Sequence, residues 1–127
     1  MENLQLSLKR KWFEMTKPLI KPEDYRETTP YWYSRLCLYR GVHKSRKWWK
    51  EYFECNFSSD QESRISFKHF DINIMTLGYP KSGDTERILK FEHAGIEIRT
   101  GNTEWGAEPN KLYFVIKHGV VMTSAFI

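Results

Sequence analysis

The charged segment IKPEDYRE, residues 20–27, contains residue types that could bind an anion or a polar ring. If residues 23–27 form a strand, alternation places Asp24 and Arg26 on one face, and Lys21 lies just before them. An arginine can hold a phosphate through two parallel hydrogen bonds, a lysine acts as a point charge, and a carboxylate beside them orients both. With Lys9 at the end of an earlier strand, the segment predicts a site for a phosphate or a polar base. The alternative is an ordinary Asp24–Arg26 or Lys21–Asp24 ion pair on a sheet surface.

A second group of cations surrounds two adjacent tryptophans in the segment HKSRKWWKEYFE, residues 43–54. Arg46, Lys47 and Lys50 flank Trp48 and Trp49. Nucleic-acid-binding proteins combine cations for the backbone with aromatic rings for the bases, so this segment is a second candidate contact. Two alternatives stay open. The segment could be an amphipathic helix that buries both tryptophans, or residues 43–57 could anchor a protein partner, since Trp and Arg are frequent in binding hot spots.

The turn-rich segment GNTEWGAEPN, residues 101–110, adds an acid and an aromatic ring. Glu104 could act as a general acid or base. Trp105 could stack on a base at the rim of a cleft, or it could plug the end of a barrel. The candidate catalytic residues of the chain are therefore Lys21, Asp24 and Glu104.

Metal and thiol chemistry are not predicted. The four histidines are scattered at positions 43, 69, 93 and 118, and no two of them have the spacing of helical metal ligands. No CxxC motif is present, so we expect no metal site and no cofactor. The two cysteines, Cys37 and Cys55, are expected to be free thiols.

The elements that must position these residues are short. Alternating or apolar runs predict strands over residues 4–9, 23–27, 69–77, 86–95, 96–101 and 111–119, with a further strand possible over 120–127. Residues 9–15 predict a short helix, and residues 29–40 predict another with Thr29 as N-cap and Pro30 at its first position. Residues 41–64 fit a helix or irregular structure. Five to seven strands with two or three short helices predict an α+β fold built on a small curved sheet or barrel.

Length and composition fit one globular domain. The chain has 127 residues, 40% of them hydrophobic, and Lys and Arg exceed Asp and Glu by 20 to 16. The net charge of +4 permits a polyanion partner without requiring one. The first ten residues lack the apolar core of a signal peptide, and no run approaches the ~18 apolar residues of a membrane span. We therefore expect a cytoplasmic protein that does not enter a membrane.

Several of these motifs together resemble the ASCH domain, a member of the PUA-like superfamily. The segments LSLKRKWFEM, IKPEDYRE and PYW look like its opening, where a strand ending in a basic residue and a helix precede a Gly-x-Lys-x-x-Glu/Thr-x-Arg signature. That signature falls on Lys21, Asp24 and Arg26. The turn GNTEWGA before YFVI resembles a small subgroup that phages and mobile elements of Gram-positive bacteria often carry. The resemblance covers about 4–36 and 67–119, and it identifies a single domain, 1–127, with a basic Trp-rich insertion at about 41–64.

The resemblance implies a PUA-like β-barrel with flanking helices and a cleft that binds RNA or nucleotides. One bacterial branch of the family hydrolyses 4-acetylcytidine with a Lys, a Thr and a Glu, and another member is described as a ribonuclease. Lys21 matches the family's lysine, but Asp24 replaces the threonine, and a carboxylate does not substitute for an activated hydroxyl in acyl transfer. The family's glycine before the signature is Leu19 here, so we expect the preceding loop to differ, because positive φ is costly for leucine.

The leading hypothesis is that the chain is an RNA- or nucleotide-binding domain with a basic cleft. The alternatives are a nucleoside amidohydrolase of the 4-acetylcytidine type, a ribonuclease, or a phage-type interaction module that acts on a host factor. The predicted contact residues combine cations for phosphate, one acid and rings that stack or line the cleft: Lys9, Lys11, Trp12, Lys21, Asp24, Tyr25, Arg26, Trp32, Arg46, Lys47, Trp48, Trp49, Lys50 and Trp105.

Overall fold

The structure is a computed structural model that describes residues 2–55, 64–81 and 83–122. Within these residues the chain forms three α-helices, α1 Arg10–Thr16, α2 Pro30–Leu36 and α3 Arg46–Cys55. It also forms seven strands, β1 Asn3–Leu8, β2 Glu23–Glu27, β3 Cys37–Tyr39, β4 Ile65–Phe67, β5 Ile72–Leu77, β6 Ile88–Thr100 and β7 Leu112–Val121. The elements divide into two compact units. The first unit comprises Met1–Tyr25 and Phe70–Ile127, and the second comprises Arg26–His69.

The first unit is built on a five-stranded sheet in the order β1-β5-β6-β7-β2. Strand β1 pairs with β5 in parallel, and β5, β6 and β7 pair as antiparallel neighbours. The predicted alternation of β1 is confirmed, because Leu4, Leu6 and Leu8 are all buried. Helix α1 adds the buried ring of Phe13 to this core. The fold is α+β with a curled, half-barrel sheet, as the sequence predicts at this coarse level.

Strand β6 joins two segments that the sequence separates. We predicted strands at 86–95 and 96–101, but one strand runs from Ile88 to Thr100. Gly95 has φ 114°, and the pairing of β6 with β7 shifts register between His93 and Ile96. The glycine therefore marks an irregularity within a continuous strand, where we predicted the end of one strand and the start of the next. Strand β7 likewise continues through Val121, while the last part of the possible strand at 120–127 lies outside the described residues.

The second unit contains α2, α3 and the antiparallel pair of β3 with β4. The predicted start of α2 is confirmed, because Thr29 Oγ1 accepts a hydrogen bond of 3.4 Å from the Trp32 backbone N–H and Pro30 is the first helical residue. The predicted end at residue 40 is wrong. The helix ends at Leu36, because the next three residues pair with Ile65–Phe67 as a strand.

The basic Trp-rich segment is helical over Arg46–Cys55 and lies inside the second unit. That unit is wider than the predicted insertion at about 41–64, since it begins at Arg26 and ends at His69. The polar stretch at 56–63 lies outside the described residues. The division into a single domain with an insertion stays a prediction.

Candidate functional site

Lys21 and Asp24 form a buried ion pair in the first unit. Lys21 Nζ lies 3.4 Å from Asp24 Oδ1 and donates a hydrogen bond of 2.8 Å to the Glu23 carbonyl oxygen. Only 2% of Lys21 and 4% of Asp24 are exposed. The ion pair expected as the alternative to a binding site therefore exists, but it lies inside the protein. A buried pair holds its groups firmly, because separating them would leave a charge without compensation.

Two aromatic rings lie close to the ammonium group of Lys21. Its Nζ is 5.8 Å from the ring centre of Trp12 and 5.3 Å from that of Tyr25, both within cation–π range. Lys11 Nζ lies 4.8 Å from the Trp12 ring. Trp12 and Tyr25, predicted as cleft residues, are thus grouped with Lys21, while Lys9 and Lys11 are exposed.

The carboxylate of Glu23 joins Tyr25 to strand β6. Arg99 Nη2 donates a hydrogen bond of 2.6 Å to Glu23 Oε1, and the Tyr25 hydroxyl donates one of 2.6 Å to Oε2. Burial opposes ionisation of Glu23, but these two donors outweigh it and hold the pKa of the carboxyl below its usual value. Burial, reinforced by the bond to Glu23, raises the pKa of Tyr25 to about 12. The sequence reasoning missed Arg99, which no motif singled out.

The turn at 101–107 packs on the same rings. The Asn102 backbone N–H donates to the Tyr25 hydroxyl at 2.9 Å. Gly106 has φ 95°, and a Cβ there would lie 2.7 Å from the indole of Trp12. Only glycine fits both the backbone conformation and the close approach. In this turn Trp105 is half-buried and Glu104 is exposed.

The loop before Lys21 takes the backbone conformation that we expected leucine to avoid. Leu19 has φ 59°, in the left-handed region, although it replaces the glycine of the resembled signature. Its N–H donates to the Thr16 carbonyl at 2.9 Å, and the Lys21 N–H donates to the Met15 carbonyl at 2.9 Å. These bonds end helix α1 in the manner of a left-handed cap, so the loop closes around a strained leucine.

Three polar side chains that the sequence left unassigned form a chain across the sheet. Asn73 is fully buried, and its Nδ2 lies 2.9 Å from His118 Nδ1 and 3.0 Å from the Lys117 carbonyl oxygen. Its Oδ1 lies 2.7 Å from His93 Nδ1. Burial lowers the pKa of His118 to about 4, so its imidazole is neutral near pH 7.

The second unit carries a basic groove of about 630 Å³. Its cations lie in the first turns of α3. Ser45 precedes this helix, and its hydroxyl accepts a hydrogen bond of 3.1 Å from the Trp48 backbone N–H. Arg46, Lys47 and Lys50 line the groove, all three exposed, and Tyr31 from α2 lines it with 43% of its surface exposed. Three of the predicted contact cations therefore share one groove with an aromatic ring that the sequence did not select.

The two tryptophans of α3 have different environments. Trp49 is fully buried and lies beside the rings of Tyr33 and Phe53, with centres 5.1 and 5.8 Å away. Its ring is part of the core of the unit and is covered by protein, which matches the amphipathic-helix alternative for this residue. Trp48 is half-buried and stacks on Tyr52 at 5.2 Å.

Trp32 serves as a platform for two arginines. The guanidinium groups of Arg26 and Arg35 each lie 5.0 Å from its ring centre, within cation–π range. Arg26 belongs to the second unit, where this ring holds it. The predicted cleft residues are thus split. Lys21 and Asp24 meet in the first unit, and Arg26 and Trp32 meet in the second.

The second unit carries all of the net positive charge of the chain. Residues 26–69 contain nine Lys and Arg against five Asp and Glu, a net charge of +4. The remaining residues contain eleven of each kind and are neutral overall. The excess of positive charge is therefore concentrated in one unit.

Three structural findings concern metal ligands, thiols and the length of the described helices. No group of three His, Cys, Asp or Glu side chains there could hold a metal ion. Cys37 and Cys55 are both free, and burial raises the pKa of Cys37 to about 12. None of the described helices is long and apolar enough to cross a membrane.

Comparisons with known proteins found no match to this chain. The chain matches no protein-family model, no curated protein and no solved structure. The resemblance to the ASCH domain therefore stays an expectation that rests on the quoted motifs.

Proposed function

We propose that the protein binds RNA through the basic groove of its second unit. The observation that carries this proposal is the convergence of Arg46, Lys47 and Lys50 with the exposed ring of Tyr31 around one groove. Exposed cations neutralise backbone phosphates, and an accessible ring can stack on a base. The concentration of the net charge in this unit supports the same assignment.

The three cations set the expected strength of the salt dependence. Each phosphate contact on a single strand contributes about −0.7 to the slope of log affinity against log salt, so three contacts give a slope of about −2. A fourfold rise in salt then weakens binding roughly 15- to 20-fold. An interface held by hydrophobic anchors would show no such dependence.

The first unit has a different part in this proposal. Lys21 is buried against Asp24, so it is a poor phosphate contact and serves to fix Trp12 and Tyr25 in place. Lys9 and Lys11 are exposed and can add phosphate contacts.

The proposal is tested by fluorescence anisotropy with single-stranded RNA, duplex RNA and duplex DNA at two salt concentrations. The groove variant replaces Arg46, Lys47 and Lys50 with glutamine. Its matched control replaces Lys17, Lys81 and Lys90, three exposed lysines of the first unit, with glutamine. Both variants lose three positive charges, so non-specific attraction falls equally.

We expect the wild type and the control variant to bind single-stranded RNA with the steep salt dependence above. The groove variant should bind at least tenfold more weakly and lose most of the salt slope. Equal loss in both triple variants would show that only total charge matters. No RNA binding by the wild type at low salt, or tighter binding to duplex DNA, would overturn the proposal.

A further inference from the structure

The groove of the second unit concentrates three positive charges within one turn of helix α3. Lys50 follows Arg46 by four residues and Lys47 by three, the two spacings that make side chains neighbours on a helix. All three are exposed, and none has an ion-pair partner among the described residues. None of the described residues that line the groove is an acid. The described walls of the groove therefore hold a compact cluster of cations without a compensating negative charge.

This arrangement opposes the electrostatic preferences of helix α3. Like charges three or four residues apart repel each other, and cations near a helix N-terminus are unfavourable. The first turn of α3 contains no acid that could offset them. The helix is held instead by its opposite side, where Trp49 is fully buried. A local pattern that works against stability is typical of a functional site, and an anion of high charge in the groove would relieve the repulsion.

The start of helix α2 gives the groove an aromatic ring and a hydroxyl group. The ring of Tyr31 meets that of Trp32 edge-on, with centres 5.0 Å apart, and the Arg35 guanidinium lies 5.9 Å from its centre. These neighbours hold the ring, yet 43% of Tyr31 remains exposed, so a base can stack on it at a low cost in entropy. Thr29 also lines the groove. Its oxygen accepts the Trp32 N–H, and a hydroxyl still has one proton to donate to a phosphate oxygen.

We propose that the groove recognises a terminal phosphomonoester of single-stranded RNA, with the three cations around the phosphate and Tyr31 stacked on the terminal base. This inference rests on the proposed function, because it takes RNA as the ligand of the groove. A phosphodiester inside a strand carries a single negative charge, whereas a terminal monoester carries about two near pH 7. The monoester and the adjacent diester together carry about three negative charges, which matches the three cations of the groove.

The layout of the groove favours the end of a strand over its middle. The three cations lie within one helical turn and do not form a row along which successive phosphates could lie. A base inside a strand has neighbours on both faces, whereas a terminal base has one face that no neighbouring base covers. Tyr31 can cover that face without separating two stacked bases. A 5′-phosphate and a 3′-phosphate present the same chemical group, so the experiment includes both.

The test is fluorescence anisotropy with one short single-stranded RNA that carries an internal label and hydroxyl ends, a 5′-phosphate or a 3′-phosphate. A terminal phosphate adds about two negative charges, so the charge-matched control is the hydroxyl-ended RNA extended by two nucleotides. We expect the full chain to bind one of the phosphorylated forms at least about tenfold more tightly than this control. Equal affinity for the charge-matched RNAs would overturn the inference and leave the proposed function standing. No binding of any RNA at low salt would overturn both.

Variants locate the recognition in the groove. The groove variant should lose the preference for a phosphorylated end, and its matched control should keep it. A preference that survives in the folded groove variant would contradict the inference. Tyr31→Leu removes the stacking surface and should weaken binding of the phosphorylated RNA several-fold. Tyr79→Leu, at a 95% exposed residue of the first unit, should leave this affinity unchanged, and equal affinities of the two tyrosine variants would refute the stacking role.

The charge state of the phosphate gives a further readout. A terminal monoester takes up a proton near about pH 6, so the preference for the phosphorylated end should shrink several-fold between about pH 7.5 and about pH 5.5. The preference is a ratio of two affinities measured on the same protein, so a change in folding stability affects both equally. A preference that does not change with pH would refute recognition of the doubly charged phosphate.

Discussion

Acidification should weaken the fold through His118, and the size of the effect follows from its environment. The pKa of this buried imidazole is about 4 in the folded chain, against an ordinary value of 6.5. Between these values the unfolded chain takes up a proton that the folded chain refuses, so stability is full above about pH 6.5 and is lost as pH falls toward 4. At about 1.4 kcal/mol for each pH unit, the loss between about pH 7 and about pH 5 amounts to about 2 kcal/mol.

The physical reason lies in the contacts of the ring. A second proton would have to enter at Nδ1, where the NH₂ group of Asn73 already donates, and it would charge a ring that is almost fully buried. Glu23 also loses stabilising contacts on acidification, but its pKa lies below 4.5, so its main effect comes below this window.

The assay is urea unfolding at about pH 7 and about pH 5, followed by tryptophan fluorescence. His118→Asn should lower stability at neutral pH and lose most of the difference between the two conditions. The control His69→Gln replaces an exposed histidine of the second unit and should keep that difference. A wild type equally stable at both pH values, or a His118→Asn variant that keeps the full difference, would refute the reasoning.

Three further predictions concern packing, hydrogen bonding and thiol exposure. Gly106→Ala should destabilise the protein by about 1–3 kcal/mol more than Gly83→Ala in thermal unfolding. Both glycines have positive φ, 95° and 88°, but only at Gly106 would the new methyl group meet an indole ring, and equal losses would contradict this. Tyr25→Phe should cost about 1–3 kcal/mol in urea unfolding because two hydrogen bonds at its hydroxyl are lost. Tyr79→Phe, at a 95% exposed residue, should cost almost nothing, and a larger loss there would count against the reasoning. In the native protein the exposed Cys55 should react promptly with Ellman's reagent. Cys37 should react only on unfolding, because it is fully buried and its pKa is about 12. Prompt reaction of both thiols would disprove the burial of Cys37.

Local patterns predicted the elements whose determinants are local. The alternation of Leu4, Leu6 and Leu8 identified β1, and Thr29 with Pro30 identified the start of α2. The end of α2 could not be read from the same stretch, because it is set by pairing with residues 65–67, which lie far along the chain. Gly95 predicts the end of a strand, since sequence does not distinguish a glycine that ends a strand from one inside an irregular strand.

The candidate site was predictable in its residue types but not in its burial. The charged segment at 20–27 does contain an ion pair, yet no pattern indicated that Lys21 and Asp24 would be hidden from solvent. Arg99 and Asn73 escaped notice because their partners are remote in sequence, at Glu23 and at His118. Such contacts depend on strand register, which the pairing of distant segments determines.

The parallel pairing of β1 with β5 affects how the chain can fold as it leaves the ribosome. Strand β1 emerges well before its neighbour in the sheet, Ile72–Leu77, so it cannot form this pairing until the residues between the two strands have been synthesised. The second unit, by contrast, is one continuous stretch, Arg26–His69, whose internal contacts all become available before β5 appears. Units dominated by local contacts assemble quickly, whereas closure of distant strands is slow. The basic unit can therefore acquire its structure during synthesis while β1 is still an unpaired strand.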